Sequence, residues 1–226
     1  MTELSTLPGD PFELRLRISY TDELADTPQA DTLERWDVSV LHTEGTVGSI
    51  TFCRVHLDRG MNAVRVMEEE SEELDEIAQA LLDPSTGGFT EDASSSLPYV
   101  GSSLLAMDKV TLDEPWRGHG LGAILATEAI HRLMAGCRAI ACSPGVTDLS
   151  SDRLRDRTEW DRVTTKIARG WELVGFRQYQ GNVYLLSPAS LELEEQRGAM
   201  RGRLADLGFV WRRTQAHDIS PRPGGG

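Results

Sequence analysis

The chain has 226 residues, 39% of them hydrophobic and 26% charged, ordinary proportions for a globular protein with one sizeable core. A formal net charge of −13 argues against nucleic acid as the main partner, because neutralising phosphates needs a basic footprint, yet it leaves room for a small anion at a local positive site. No apolar run is long enough to span a bilayer and the opening Met1-Thr2-Glu3-Leu4 lacks the regions of a signal peptide, so no membrane partner and a cytosolic location are expected.

In chain order, residues 12–19 alternate, with Leu14, Leu16 and Ile18 on one face and Arg15, Arg17 and Ser19 on the other, which predicts a half-buried strand. A polar stretch follows, broken by Pro28. Residues 35–42 alternate again, with Trp36, Val38 and Val40 on one side. Residues 46–56 read as a third strand, Ile50 and Phe52 opposite Val47 and Val55, after a hairpin at Thr43-Glu44-Gly45. The period then changes. Val64, Met67, Leu74, Ala78 and Leu81 recur at helical spacing over 61–82, predicting one acidic amphipathic helix closed by Pro84 and Gly87-Gly88. Residues 90–103 read as a polar loop.

Leu104–Leu112 reads as a strand, Arg117–Gly122 as a glycine-rich turn, Leu121–Met134 as an apolar helix and Arg138–Cys142 as a short buried strand. That order implies a right-handed crossover between parallel strands. Residues 146–157 read as a loop and 158–174 as a helix closed by a left-handed Gly175. Residues 176–180 and 182–186 form a hairpin about Gly181, and 190–207 a last helix capped by Gly208. The glycine- and proline-rich end reads as disordered. Cys53, Cys137 and Cys142 are an odd count with no metal-ligand spacing, nor do the five histidines show any; Cys137 and Cys142 read as core. Lys109 and Lys166 are the only lysines, an arginine bias that fits a GC-rich bacterial source.

Three readings compete for the glycine turn. No Gly-Lys-Ser/Thr closes it, which removes a Walker A loop. Gly118-x-Gly120-x-x-Ala123 fits a loose dinucleotide pattern, but Asp113–Arg117 separates it from the strand and Ser143-Pro144-Gly145 offers no carboxylate for a ribose. The third reading rests on Arg117-x-x-Gly120-x-Gly122, preceded by Val110-x-Leu112 and Trp116, and on Trp171-Glu172-Leu173-Val174-Gly175-Phe176 further on. These segments resemble the acyl-CoA loop and the aromatic-Glu-x-x-Gly-Phe segment of the GNAT acetyltransferases. The resemblance covers residues 104–186, and the earlier strands by order alone. A bland reading, a turn before a buried helix, stands beside it.

The resemblance implies an α/β fold with a mixed, mostly antiparallel sheet flanked by helices and a β-turn-α-β acyl-CoA unit. Residues 1–189 would form that domain, 190–211 a helical extension that packs on it or mediates a homodimer, and 212–226 a disordered tail. It implies direct transfer of an acetyl or other acyl group from acetyl-CoA to an amine acceptor. Val110, Leu112, Arg117, Gly118, His119, Gly120, Leu121 and Gly122 would hold the acyl-CoA, with the strands splaying after Leu112 and Ala141 and a backbone N–H near Leu112 meeting the oxyanion. A helix N-terminus with glycines suits a pyrophosphate, since its N–H groups are unpaired and no Cβ intervenes.

Asp108 is the candidate base, and alternation places it on the face of Val110 and Leu112 unless a bulge breaks the parity. A salt-bridged or solvated strand residue is its other reading. Where many members carry a tyrosine acid, this chain has Trp171, a packing type; Tyr179 and Tyr184 lie nearby in sequence. His119 is expected to face solvent or a phosphate, Glu114 to be exposed, and Ser143 to end a strand near the thioester channel or serve a turn. A catalytically weak or inactive acyl-CoA-binding or sensor module is the alternative to an enzyme.

Overall fold

The structure is a computed structural model that describes residues 7–21, 28–43, 45–98, 101–144 and 157–218. A 3-10 turn at Pro11–Glu13, capped by Asp10, leads into strand β1 (Arg15–Tyr20). Helix α1 (Pro28–Thr32) precedes the long hairpin of β2 (Leu33–His42) and β3 (Gly45–His56). Three helices follow: α2 (Ala63–Glu70), α3 (Glu72–Leu81) and α4 (Glu91–Ser96). Strand β4 (Ser103–Leu112), helix α5 (Leu121–Leu133) and strand β5 (Cys137–Cys142) come next. The chain then forms α6 (Arg157–Val174), the hairpin β6 (Arg177–Gln180) and β7 (Val183–Leu186), and α7 (Leu193–Asp218).

The seven strands form one sheet in the order β1-β2-β3-β4-β5-β7-β6. Among the described residues, only the β4–β5 pair is parallel. This is the fold class implied above, with α5 as the crossover. One face of the sheet carries Val38, Phe52, Leu105 and Ile140 against α5, α6 and α7. The other carries Cys53, Val55, Leu104, Ala106 and Ala141 against α2, α3 and α4. Two cores therefore share one sheet, which explains why β4 and β5 are apolar on both faces.

Several expectations change. The acidic helix over 61–82 breaks at Ser71, whose backbone is extended (φ −160°, ψ 160°). Its N–H caps the end of α2 on Met67, and its hydroxyl accepts from the Leu74 N–H to start α3. Serine is a strong N-cap, and Glu72, Glu73 and Asp75 in the next turn favour a fresh helix start. The polar stretch after Thr90 contains α4 for the same reason, Thr90 capping Ala93. Val47 joins Ile50 and Phe52 on the α5 face instead of opposing them, because the β2–β3 register slips by one residue there.

Gly175 does close α6, with φ +109° and the two backbone bonds of a Schellman ending, Phe176 to Trp171 and Gly175 to Glu172. Gly208 caps nothing. Helix α7 runs through it to Asp218, and the space a Cβ would take there is filled by the Phe12 ring. The loop expected over 146–157 lies, but for its last residue, outside the described residues, as do residues 219–226 of the expected tail. No helix among the described residues is long and apolar enough to cross a membrane.

Helix α7 packs on α5 and on the N-terminal turn. Glu128 on α5 receives paired bonds from Arg201 (2.6 and 2.9 Å) and Arg197 (3.2 and 3.1 Å). At the far end Trp211 donates to the Leu7 carbonyl, and Arg212 meets the buried Asp10. The Arg201 and Arg197 guanidiniums hold the Glu128 carboxyl down from 4.5 to about 2. A carboxyl depressed by folding stabilises fully above its unfolded value and loses that contribution as the pH falls toward its folded one. Glu128→Gln is therefore expected to lower the melting temperature by a few degrees at pH 7, with the difference from wild type shrinking between pH 4.5 and about 2. Thermal melts of both proteins across that range measure it.

Candidate active site

Strand β4 is ten residues long and β5 six. Their parallel pairing ends at Met107 opposite Cys142, so residues 108–112 continue along β3 with no β5 partner. The parting begins at Asp108, earlier than the expected point after Leu112. Its cause is a bulge. Thr51 pairs with Lys109 and Phe52 with Met107, which leaves Asp108 as an extra residue in β4. An inserted residue bends a strand and raises its twist, and here it does so where the neighbouring strand stops.

The bulge also overturns the parity expected for Asp108. Met107 belongs to the core on the α5 face, and Val110 and Leu112 pack against that same core. Asp108 instead reaches the α3 face, where its Oδ1 accepts from the Ser71 hydroxyl at 2.6 Å. It is half-buried and lies on the opposite side of the sheet from Val110 and Leu112.

On the α5 side, the chain leaves β4 through a 3-10 turn at Glu114–Trp116 and enters the glycine loop. Glu114 is exposed, while Trp116 is buried with its ring 5.1 Å from that of His42, anchoring the turn. Gly118 and Gly120 both have left-handed backbones, φ +86° and +75°. Gly120 is the N-cap of α5, and no side chain caps the helix. A Cβ at Gly118 or Gly120 would meet nothing within 4 Å, and one at Gly122 only a methyl of Val110 at 3.6 Å. The loop is thus an open surface at a helix start, where the first N–H groups have no partner within the helix. Arg117 is exposed, and its Nε donates to the Leu112 carbonyl at the end of β4. Leu121 is buried and anchors the first turn to the core.

His119 is half-buried, not turned to solvent; its Nε2 is covered and has no hydrogen-bond partner among the described residues. Trp171 packs edge-on against Phe176, ring centroids 6.2 Å apart, as a core residue. The two tyrosines separate. Tyr179 packs in the α3-face core, whereas Tyr184 is paired with Cys142 and belongs to the α5-face core with Met107. Met107, Cys142 and Tyr184 thus form the last rung before the strands part. Burial pushes the Tyr184 phenol up. Cys142, Cys137 and Cys53 are buried core thiols; burial pushes all three up, Cys53 to about 12.

Sequence reasoning missed a polar chain on the α3 face. Ser143, just past β5, donates to the Glu76 carboxylate of α3, and Asn182 of the β6–β7 turn donates to Ser143 Oγ (3.0 Å) and the Pro144 carbonyl (3.2 Å). The signal was faint: Glu76 sat in an acidic run that reads as a solvated face. A cavity of about 270 Å³ lies elsewhere, at the β6 edge beside Leu97, Arg177 and Tyr179. It holds none of these groups.

No family profile matches the chain, and no curated protein does. Solved structures do resemble it. A tyrosine-to-phenylalanine variant of the AtaT toxin bound to the C-terminus of the antitoxin AtaR is 15% identical, covering 80% of this chain and 97% of that one with a TM-score of 0.36. The same variant with AtaR and acetyl-CoA is 13% identical over 80% and 97%, TM-score 0.35. AtaTR bound with AcCoA is 15% identical over 80% and 98%, TM-score 0.37. The reading of the site rests on its own geometry.

The left-handed backbone at Gly120 is strained for any residue with a Cβ, even with open space around it. Gly120→Ala is expected to fold and to lose about 1 kcal/mol in urea denaturation.

Proposed function

We propose that this chain is an N-acyltransferase that passes an acetyl or other acyl group directly from acetyl-CoA to an amine. The observation that carries the reading is a coincidence of position. The parting of β4 from β5 lies beside an uncapped, glycine-lined helix start on one face and a carboxylate on the other.

The residues fit the cosubstrate. The backbone N–H groups of residues 118–122 and the Arg117 guanidinium would take the pyrophosphate, as helix starts and arginines take anions. The edge of β4 beyond Met107, Val110 and Leu112 included, has no β5 partner and would bond an amide-bearing pantetheine arm as a missing strand would, the Leu112 carbonyl being already taken by Arg117. His119 Nε2 is an orphan donor or acceptor within the same loop. Bound acetyl-CoA supplies an acyl group activated as a thioester.

The chain's own residues set the rest. Asp108, on the α3 face, would accept the proton that an incoming amine must lose. A backbone N–H of the parted β4 edge near Leu112 would meet the oxyanion. Tyr184, on the last paired rung and protonated at neutral pH as a phenol ordinarily is, would return a proton to the departing thiolate. Transfer without a covalent enzyme intermediate is favoured because the nearest thiol, Cys142, is buried and its pKa raised, a poor nucleophile.

A binding or sensor role is the second reading. Trp171 favours it, since a packing indole stands where the resembling family often has a phenol. Turnover separates the two.

Calorimetric titration with acetyl-CoA, with NAD as control, tests the cosubstrate. Binding of acetyl-CoA and not NAD is expected, lost in Gly120→Glu, whose carboxylate would occupy the anion cradle. Binding of NAD alone, or acetyl-CoA affinity unchanged in the variant, would overturn the assignment. With binding in hand, acetyl transfer to a panel of amines should fall at least tenfold in Asp108→Asn, read as kcat/KM against pH.

A further inference from the structure

Helix α3 touches both lips of the strand opening. It packs in turn over β4, β5 and β7. Its N-cap, Ser71, donates to Asp108 in the β4 bulge. One and a half turns later Glu76 accepts from Ser143, immediately after β5 ends. Asn182 locks Ser143 and Pro144 from the β6–β7 turn. Positions 71 and 76 are separated by about 7.5 Å of helix rise, enough with their side chains to reach from one strand to a neighbour about 4.8 Å away. Bonded to β4 just past its last paired rung and to the chain just past β5, one rigid helix spans the point where the strands part and ties both lips to itself.

We propose that α3 is a strut that fixes the width of the opening between β4 and β5, with Ser71 and Glu76 as its two positioning residues. Resting on the acyltransferase reading, this assigns a task to a helix between β3 and β4 that the sequence showed only as part of one acidic amphipathic helix. Both act on the strand ends and not on the cosubstrate. Ser71 also orients Asp108, since its hydroxyl donates to one carboxylate oxygen and leaves the other for the amine. Glu76 holds the end of β5 through Ser143.

The test separates capping from bridging. Ser71→Thr keeps both the helix cap and the donor to Asp108. Ser71→Asp keeps the cap but sets a second carboxylate against Asp108 and removes the donor. Glu76→Gln keeps an acceptor for Ser143, and Glu76→Ala removes it. Two readouts are taken on each protein: acetyl-CoA affinity by calorimetry, and amide hydrogen exchange without ligand over residues 107–112 and 140–144. Ser71→Asp and Glu76→Ala are expected to bind at least tenfold more weakly and to exchange at least tenfold faster there, at melting temperatures within a few degrees of wild type. Ser71→Thr and Glu76→Gln should match wild type in both.

Wild-type affinity and exchange in Ser71→Asp and Glu76→Ala would overturn the strut. Faster exchange confined to α3 itself would also overturn it, by reducing both residues to local helix stability. If the wild-type protein binds no acetyl-CoA, the acyltransferase reading fails, and the exchange measurement still decides whether α3 sets the opening.

Discussion

One extra residue in β4 governs the geometry of the site. Without Asp108 as a bulge, β4 would keep its register against β3 to the end, and alternation would carry residues 109 and 111 to the face that Val110 and Leu112 now occupy. With it, the strand bends at the last rung shared with β5; the carboxylate stays on the α3 face with Leu104 and Ala106, while Val110 and Leu112 turn to the face of the glycine loop. The opening, the acid on one side of it and the binding edge on the other follow from a single slip of register.

Such a bulge would be free to heal if nothing held it. Ser71 bonds the inserted Asp108, and Glu76 bonds the chain just past β5 through Ser143. On the opposite face, Arg117 ties the loop to the Leu112 carbonyl and Leu121 anchors α5 in the core. The helix α5 is fixed in turn by Glu128 between Arg197 and Arg201 of α7. A protein with a net charge of −13 can thereby present a positive loop, because helix N–H groups and one arginine act at short range while the acidic residues are screened by solvent.

The sequence made the sheet legible where the period was clean. The alternation read over residues 12–19 and 35–42 corresponds to the strands Arg15–Tyr20 and Leu33–His42, shifted where Pro11–Glu13 forms a 3-10 turn, and the strand-glycine-helix-strand order read from residue 104 on is observed. It misled where one residue carried a decision that periodicity cannot register. Ser71 reads as one more polar position in an acidic helix, yet its hydroxyl ends one helix, starts another and reaches β4. Asp108 and Val47 each shift a strand by one residue, and bulges depend on what the partner strand does. Gly208 looked like a cap, but its missing side chain serves the Phe12 ring packed against mid-helix. The glycine loop was legible because its chemistry is local; the Glu76–Ser143–Asn182 chain was not, because its members lie on three separate elements.

The parted β4 edge and the start of α5 form one binding surface if this chain takes acetyl-CoA as proposed. Amide NMR of the full chain titrated with acetyl-CoA tests it most directly. Shift changes are expected to concentrate at residues 110–112 and 118–123. Changes clustered instead around Arg177 and Tyr179, beside the cavity at the β6 edge, would contradict it.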